Sequence, residues 1–231
     1  MSLRVKAVTA WVTGINTIQL TRGQFVDFKE RLVRACDGNI RVFEPVTFEK
    51  LWLARENPPM IAANERATDR FPTDLDHVKS NIVQHSRTEW ARRLYDEEPD
   101  LDVITWLDYG VLKQGAWRNN QVTEDHVREF MKRIADYHYG DIPFPGIEER
   151  KPVSVHGDNW RFVGSTHIWP TRWLHFIDRS YRAKCRQFIR AFGCVPLDLA
   201  IWPSVEADSG LPFRWYKAEY DASQFTNFPK E

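Results

Sequence analysis

Apolar and polar positions along the chain follow two periods, and the switches between them mark out its elements. Val5 to Val12 (VKAVTAWV) is a near-continuous apolar, β-branched run and predicts a buried strand that breaks at Gly14 and Asn16. Thr21 then opens a helix, with Gln24 three residues on as its capping-box partner. Phe25, Phe28, Leu32 and Val33 share one face of that helix, which ends near Gly38. Ile40 to Phe43 predicts a short second strand closed by Glu44-Pro45, giving a strand–helix–strand opening of the parallel crossover type. Phe48 to Leu53 reads as a helical turn, and Asn57 to Asp74, with three prolines, as a polar excursion. From Thr73 or Asp74 the spacing of Leu75, Val78, Ile82, Trp90 and Leu94 predicts one long helix to about Tyr95.

The run DVITWLDYGVL, Asp102 to Leu112, is a second dense apolar stretch carrying a single acid at its end. A carboxylate in the middle of a doubly buried strand is costly, so Asp108 belongs at the C-terminal tip, where the chain turns at Gly110. In open α/β sheets ligands gather at that edge. Beyond it the pattern predicts a loop from Lys113 to Gln121, a helix capped by Thr123, and a proline-containing loop from Gly140 to Pro152. Two short strands follow, flanking His156-Gly157-Asp158, then a long helix from Pro170 that ends at Gly193. The chain closes with an apolar segment from Leu197 to Trp202 that contains Asp198, and a last strand or arm from Phe213 to Tyr220. The class is α/β: a mixed, mostly parallel central sheet flanked by helices. Nothing in the 231 residues reads as a linker, so one domain is expected.

Composition changes this picture in three places. Lysine plus arginine (32) equals aspartate plus glutamate (32), which argues against a general electrostatic grip on nucleic acid. Ten tryptophans and 14 phenylalanines are many; most are assigned to the core, although their faces also suit sugars and bases. Cys36, Cys185 and Cys194 show neither CxxC spacing nor an even set, so a reducing compartment is expected. With no signal-peptide pattern at MSLRVKAVTAWV and no membrane-length apolar run, the protein is expected to be soluble and cytoplasmic.

Several segments together resemble the GT-A fold of nucleotide-sugar glycosyltransferases, and most closely the HtrL/YibB-type family. These are the strand and tip VTAWVTG, the strand IRVFE, the helix DHVKSNIVQHSRTEWARRL, the tip WLDYG and the segment WRFVGSTHIWP. The resemblance covers residues 4–205. It implies a nucleotide-binding half over about 1–112 and an acceptor-side half over about 113–231. It also implies transfer of a sugar from a nucleoside-diphosphate sugar to a hydroxyl on a glycan, a small molecule or a modified DNA base. By the same resemblance, Asp108 holds Mn²⁺ or Mg²⁺, Lys79 contacts the diphosphate, and Thr13 and Arg22 lie where the nucleoside sits. Asp158 and Asp198 are the acceptor-side acid or base. The family's usual Asp-x-Asp motif has Gly110 in place of its second acid here.

Each residue also has an ordinary reading. Asp108 can be a turn acid bonded to the Gly110 amide, Lys79 a solvated helix lysine, and Thr13 and Arg22 loop residues. Asp158 fits a Gly-Asp-Asn turn, His156 and His167 are weaker candidates beside it, and Asp198 can be a helix cap or a buried partner for an arginine. Arg179, Arg182, Lys184, Arg186 and Arg190 form a solvated helix face or, alternatively, a surface for a phosphate-rich acceptor. The competing functions are a non-catalytic glycan- or nucleic-acid-binding protein and a nucleotidyltransferase on the same fold.

Overall fold

A computed structural model describes residues 2–13, 22–56, 75–108, 110–116, 119–147, 162–193 and 195–230. Strand β1 (Val5–Thr13), helix α1 (Arg22–Ala35) and strand β2 (Ile40–Thr47) form the expected parallel crossover. Strand β2 runs through Glu44-Pro45 rather than ending there. Ala10 faces Phe43 and Val12 faces Val46, so Glu44 and Pro45 together stand opposite Trp11. That bulge absorbs a proline that a regular ladder would reject, and β2 is an edge strand, where proline is tolerated.

After a 3₁₀ turn (Phe48–Lys50) and the short α2 (Trp52–Glu56), the expected long helix is two: α3 (Leu75–Gln84) and α4 (Arg87–Glu97). The break has a physical cause. His85 is buried at the junction, with Nδ1 2.7 Å from the Tyr181 hydroxyl and Nε2 2.8 Å from the Pro196 carbonyl oxygen. A carbonyl only accepts, so Nε2 carries the proton and Nδ1 accepts from Tyr181. Ser86 Oγ donates back to the Ile82 carbonyl oxygen (3.0 Å), competing with the helix ladder.

Strand β3 (Val103–Leu107) is buried along its whole length and lies between β1, parallel to it, and β5 (Thr166–Pro170), antiparallel. The sheet order is β2-β1-β3-β5. Alternation along β3 divides the core. Val103 and Leu107 join Phe28 and Leu32 of α1 and Phe130 and Ile134 of α5 (Glu124–Asp136). Ile104 and Trp106 join Trp90 of α4, Ile177 of α6 (Thr171–Phe192) and Trp202 of α7 (Asp198–Asp208). Helices therefore cover both faces of a mixed, mostly parallel sheet. Trp52, Trp90, Trp169 and Trp202 are fully buried, which settles those four as core residues.

Thr123 caps α5 as expected, with His126 completing the capping box, and Gly193 ends α6 in the left-handed region at φ 69°. Pro170 ends β5 rather than starting α6. Two elements depart further from the sequence expectation. Leu197 to Trp202 is mostly the first half of α7, with Ile201, Trp202 and Val205 buried. Within the supposed loop Gly140 to Pro152 lies β4 (Ile142–Gly146), paired in parallel with β6 (Phe213–Lys217). Its sequence, IPFPG, hides a strand because prolines are poor strand formers. Here Pro143 and Pro145 alternate with Ile142, Phe144 and Gly146, whose backbone groups serve the β6 side: Ile142 N–H donates to Pro212 O and Gly146 O accepts from Ala218 N–H. A short helix, α8 (Ser223–Thr226), follows β6.

Candidate functional site

The C-terminal ends of β1, β2 and β3 share one edge of the sheet, and antiparallel β5 contributes its N-terminal end there. Asp108 is the first residue past β3. Its backbone N–H donates to Ser165 O (2.9 Å), and its Oδ1 accepts from Gly110 N–H (3.0 Å). The Asx turn of the ordinary reading therefore exists, and it occupies one carboxylate oxygen of a side chain that is half-buried. Among the described residues no ion pair reaches Asp108.

Asp198 is the first residue of α7 and Arg87 the first of α4, and they form an ion pair, Arg87 Nη1 donating to Asp198 Oδ2. Their side chains are 5% and 1% exposed. The guanidinium also lies over the Trp106 ring, 5.9 Å from its centroid. Gly164 packs closely against the pair: a Cβ there would stand 3.0 Å from Arg87 Nη1 and 3.1 Å from Leu199 Cδ2. Asp198 is thus buried rather than half-buried, and it has the arginine partner of its ordinary reading. Action on an acceptor hydroxyl would first require this pair to open. Asp198 Oδ1 and Arg87 Nε are buried with no hydrogen-bond partner among the described residues.

The first three residues of α4 each tie down a different element. Arg87 holds α7, Thr88 Oγ1 donates to Asp178 Oδ1 of α6 (2.7 Å), and Glu89 Oε2 accepts from the Trp52 backbone N–H of α2 (3.0 Å). Burial holds His85 below its ordinary value, against an upward pull from Asp198. Burial also pushes the Tyr181 phenol well up.

Tyr220, just past β6, reaches the same edge. Gly164 N–H donates to its hydroxyl oxygen (3.3 Å). Burial pushes the phenol up to about 12; the Gly164 N–H and Arg87 pull it down, while Asp198 and Asp108 add to the rise. Below Tyr220, Ser165 Oγ donates to Gln224 Oε1 (2.6 Å), and Gln224 Nε2 donates to Gln114 Oε1 (2.6 Å). The loop after β3, the start of β5 and the C-terminal segment are thereby joined.

The other expected residues are placed as follows. Thr13 is the last residue of β1, in register with Thr47, and Arg22 is the first residue of α1. Lys79 lies on α3 with its ammonium 5.8 Å from the Phe48 ring centroid. Asp158 and His156 lie outside the described residues. His167 is buried in β5 among Phe144, Trp169 and Trp202, and burial, helped by Arg87, holds it well below its ordinary value. In the basic cluster on α6, Arg182 pairs with Asp178, Lys184 with Asp208 and Arg186 with Glu56. That pairing favours the solvated-face reading. Arg87, Gly164 and Tyr220 are the residues sequence reasoning missed; the acid inside an apolar segment asked for an arginine somewhere, and nothing in sequence pointed to Gly164 or Tyr220.

A hard cation takes carboxylate, phosphate and water oxygens, and one protein carboxylate suffices where phosphates supply the rest. Asp108, at an open sheet edge, suits that role. Asp198 does not suit the role of second ligand, because its partner guanidinium would stand against the cation. Among the described residues no three His, Cys, Asp or Glu side chains form a metal-binding group, and no helix is long and apolar enough to cross a membrane. No model of a known protein family matches the chain, and neither a curated protein nor a solved structure matches it.

Proposed function

We propose that the chain is a metal-assisted glycosyltransferase that moves a sugar from a nucleoside-diphosphate sugar to a hydroxyl acceptor on a GT-A-like fold. The observation that carries this reading is Asp108 at the tip of the central parallel strand, half-buried and outside any described ion pair, beside an antiparallel fourth strand. Asp108 would hold Mn²⁺ or Mg²⁺ together with phosphate oxygens of the donor. The cation, when bound, neutralises charge developing on the departing nucleoside diphosphate.

The chain's own residues would act around it. The ends of β1 and α1, at Thr13 and Arg22, receive the nucleoside. Lys79 reaches the diphosphate by leaving the Phe48 ring. Asp158 takes the acceptor proton. The Arg87–Asp198 pair would fix the starts of α4 and α7.

Thermal stabilisation by nucleoside diphosphates and nucleotide sugars, with and without Mn²⁺, tests the reading. At least one nucleotide is expected to raise the melting temperature in a metal-dependent way, and Asp108→Asn is expected to abolish the metal-dependent part. Absence of any nucleotide effect, or a shift unchanged in D108N, overturns it.

A further inference from the structure

Gly164 and Ser165 are consecutive residues with separate partners at the sheet edge. Gly164 N–H donates to the Tyr220 hydroxyl (3.3 Å), and Ser165 O accepts from Asp108 N–H (2.9 Å). Adjacent Cα atoms lie about 3.8 Å apart, so the phenol and the Asp108 backbone bracket one dipeptide. The Tyr220 ring is wedged against both halves of the core. Its backbone is held from the following residues, where Ala222 N–H donates to Asn120 O (3.0 Å) and Ser223 N–H to Asp221 Oδ1 (2.8 Å). The hydroxyl is therefore held at the same sheet edge as Asp108, within range of that carboxylate's charge.

A phenol oxygen that accepts from Gly164 still has its own proton to donate. Among the described residues nothing accepts that proton, although the side chain is half-buried. The neighbours are two carboxylates and a guanidinium. The phenol stays protonated at neutral pH, in keeping with its upward shift. A ligand held by a cation on Asp108 presents oxygen acceptors, and an O–H held at the same sheet edge is suited to one of them.

We propose that Tyr220 is a second phosphate-recognising residue of the site, its hydroxyl donating to a phosphate oxygen of the nucleoside diphosphate held through Asp108. This rests on the glycosyltransferase reading above.

Calorimetric titration with a panel of nucleoside diphosphates at saturating Mn²⁺ separates the two claims. Tyr220→Phe is expected to weaken binding about 5- to 20-fold, the loss of one hydrogen bond to a charged group. Its melting temperature without ligand should fall by about 2–6 °C, because the buried Gly164 N–H loses its acceptor. Tyr220→His, which keeps a ring and an N–H donor, should lose less affinity than Y220F and gives a second reading if Y220F is poorly folded. Wild-type affinity in Y220F overturns the role of Tyr220 and leaves the glycosyltransferase reading standing. No binding of any nucleoside diphosphate by the wild type overturns both.

Discussion

Arg87 and Asp198, 111 residues apart in sequence, meet as an ion pair at the starts of two helices, with almost no solvent contact. Removing one partner strands the other charge in the core, at a typical cost of about 3–5 kcal/mol. Asp198→Ala should therefore destabilise the protein by that amount in urea unfolding. The double variant Arg87→Met, Asp198→Leu should recover most of the loss, because an apolar pair removes both desolvation penalties. A double variant no more stable than D198A would show that the loss in D198A is not the cost of a stranded Arg87 charge.

Gly164 is crowded by Arg87 and Leu199 rather than fixed by its backbone angles. A methyl group there meets Arg87 Nη1 at 3.0 Å and Leu199 Cδ2 at 3.1 Å. Gly164→Ala should cost about 1–3 kcal/mol, an overpacking penalty. In an Arg87→Met background the penalty should shrink, since one of the two obstructing groups is gone. Urea midpoints of the four proteins measure that coupling directly.

Asp108 separates turn from chemistry. Asparagine retains a side-chain carbonyl for the Gly110 amide, so Asp108→Asn should unfold within about 0.5 kcal/mol of the wild type. Asp108→Ala loses the turn bond as well and should fall by a further 0.5–1.5 kcal/mol or so. Both should lose metal-dependent nucleotide stabilisation equally. A stable D108A with intact nucleotide binding would leave Asp108 with no role beyond packing.

Two buried histidines make stability depend on pH. Burial holds both His85 and His167 below the ordinary value of 6.5. The unfolded chain therefore binds protons at these sites as pH falls through 6.5 while the folded chain does not, so stability is lost on acidification and fully present above that value. Each histidine contributes a slope of up to about 1.4 kcal/mol per pH unit below it. Urea unfolding between pH 7.5 and 5.5 should show the fall, and His167→Leu should reduce its slope by about half. A slope unchanged in H167L would mean that His167 takes up its proton as readily in the folded chain as in the unfolded one.

How much of this was legible in sequence follows from how local each cause is. The parallel crossover, the central strand and the Asp108 tip rest on short-range apolar patterning, and they stand at or close to their expected places. The β4 strand did not show because Pro143 and Pro145 mask it, and only its pairing with β6, about seventy residues on, explains why they are tolerated. The break at His85 depends on Tyr181 and Pro196, which no local window contains. Tyr220 and Gly164 escaped notice for the same reason: their meaning lies in a contact across 56 residues. Asp198 stood out as an acid in an apolar segment, yet nothing in its neighbourhood of sequence says that Arg87 is its partner.

The bulge at Glu44-Pro45 bears on how the sheet ends. An edge strand is a template on which another chain can lay its own strand, and a regular row of donors invites it. Strand β2 offers no regular row: one of its residues has no N–H at all, and the two-against-one step there breaks the repeat that a partner would have to match. The irregularity that lets a proline into the sheet also guards its open side against growth.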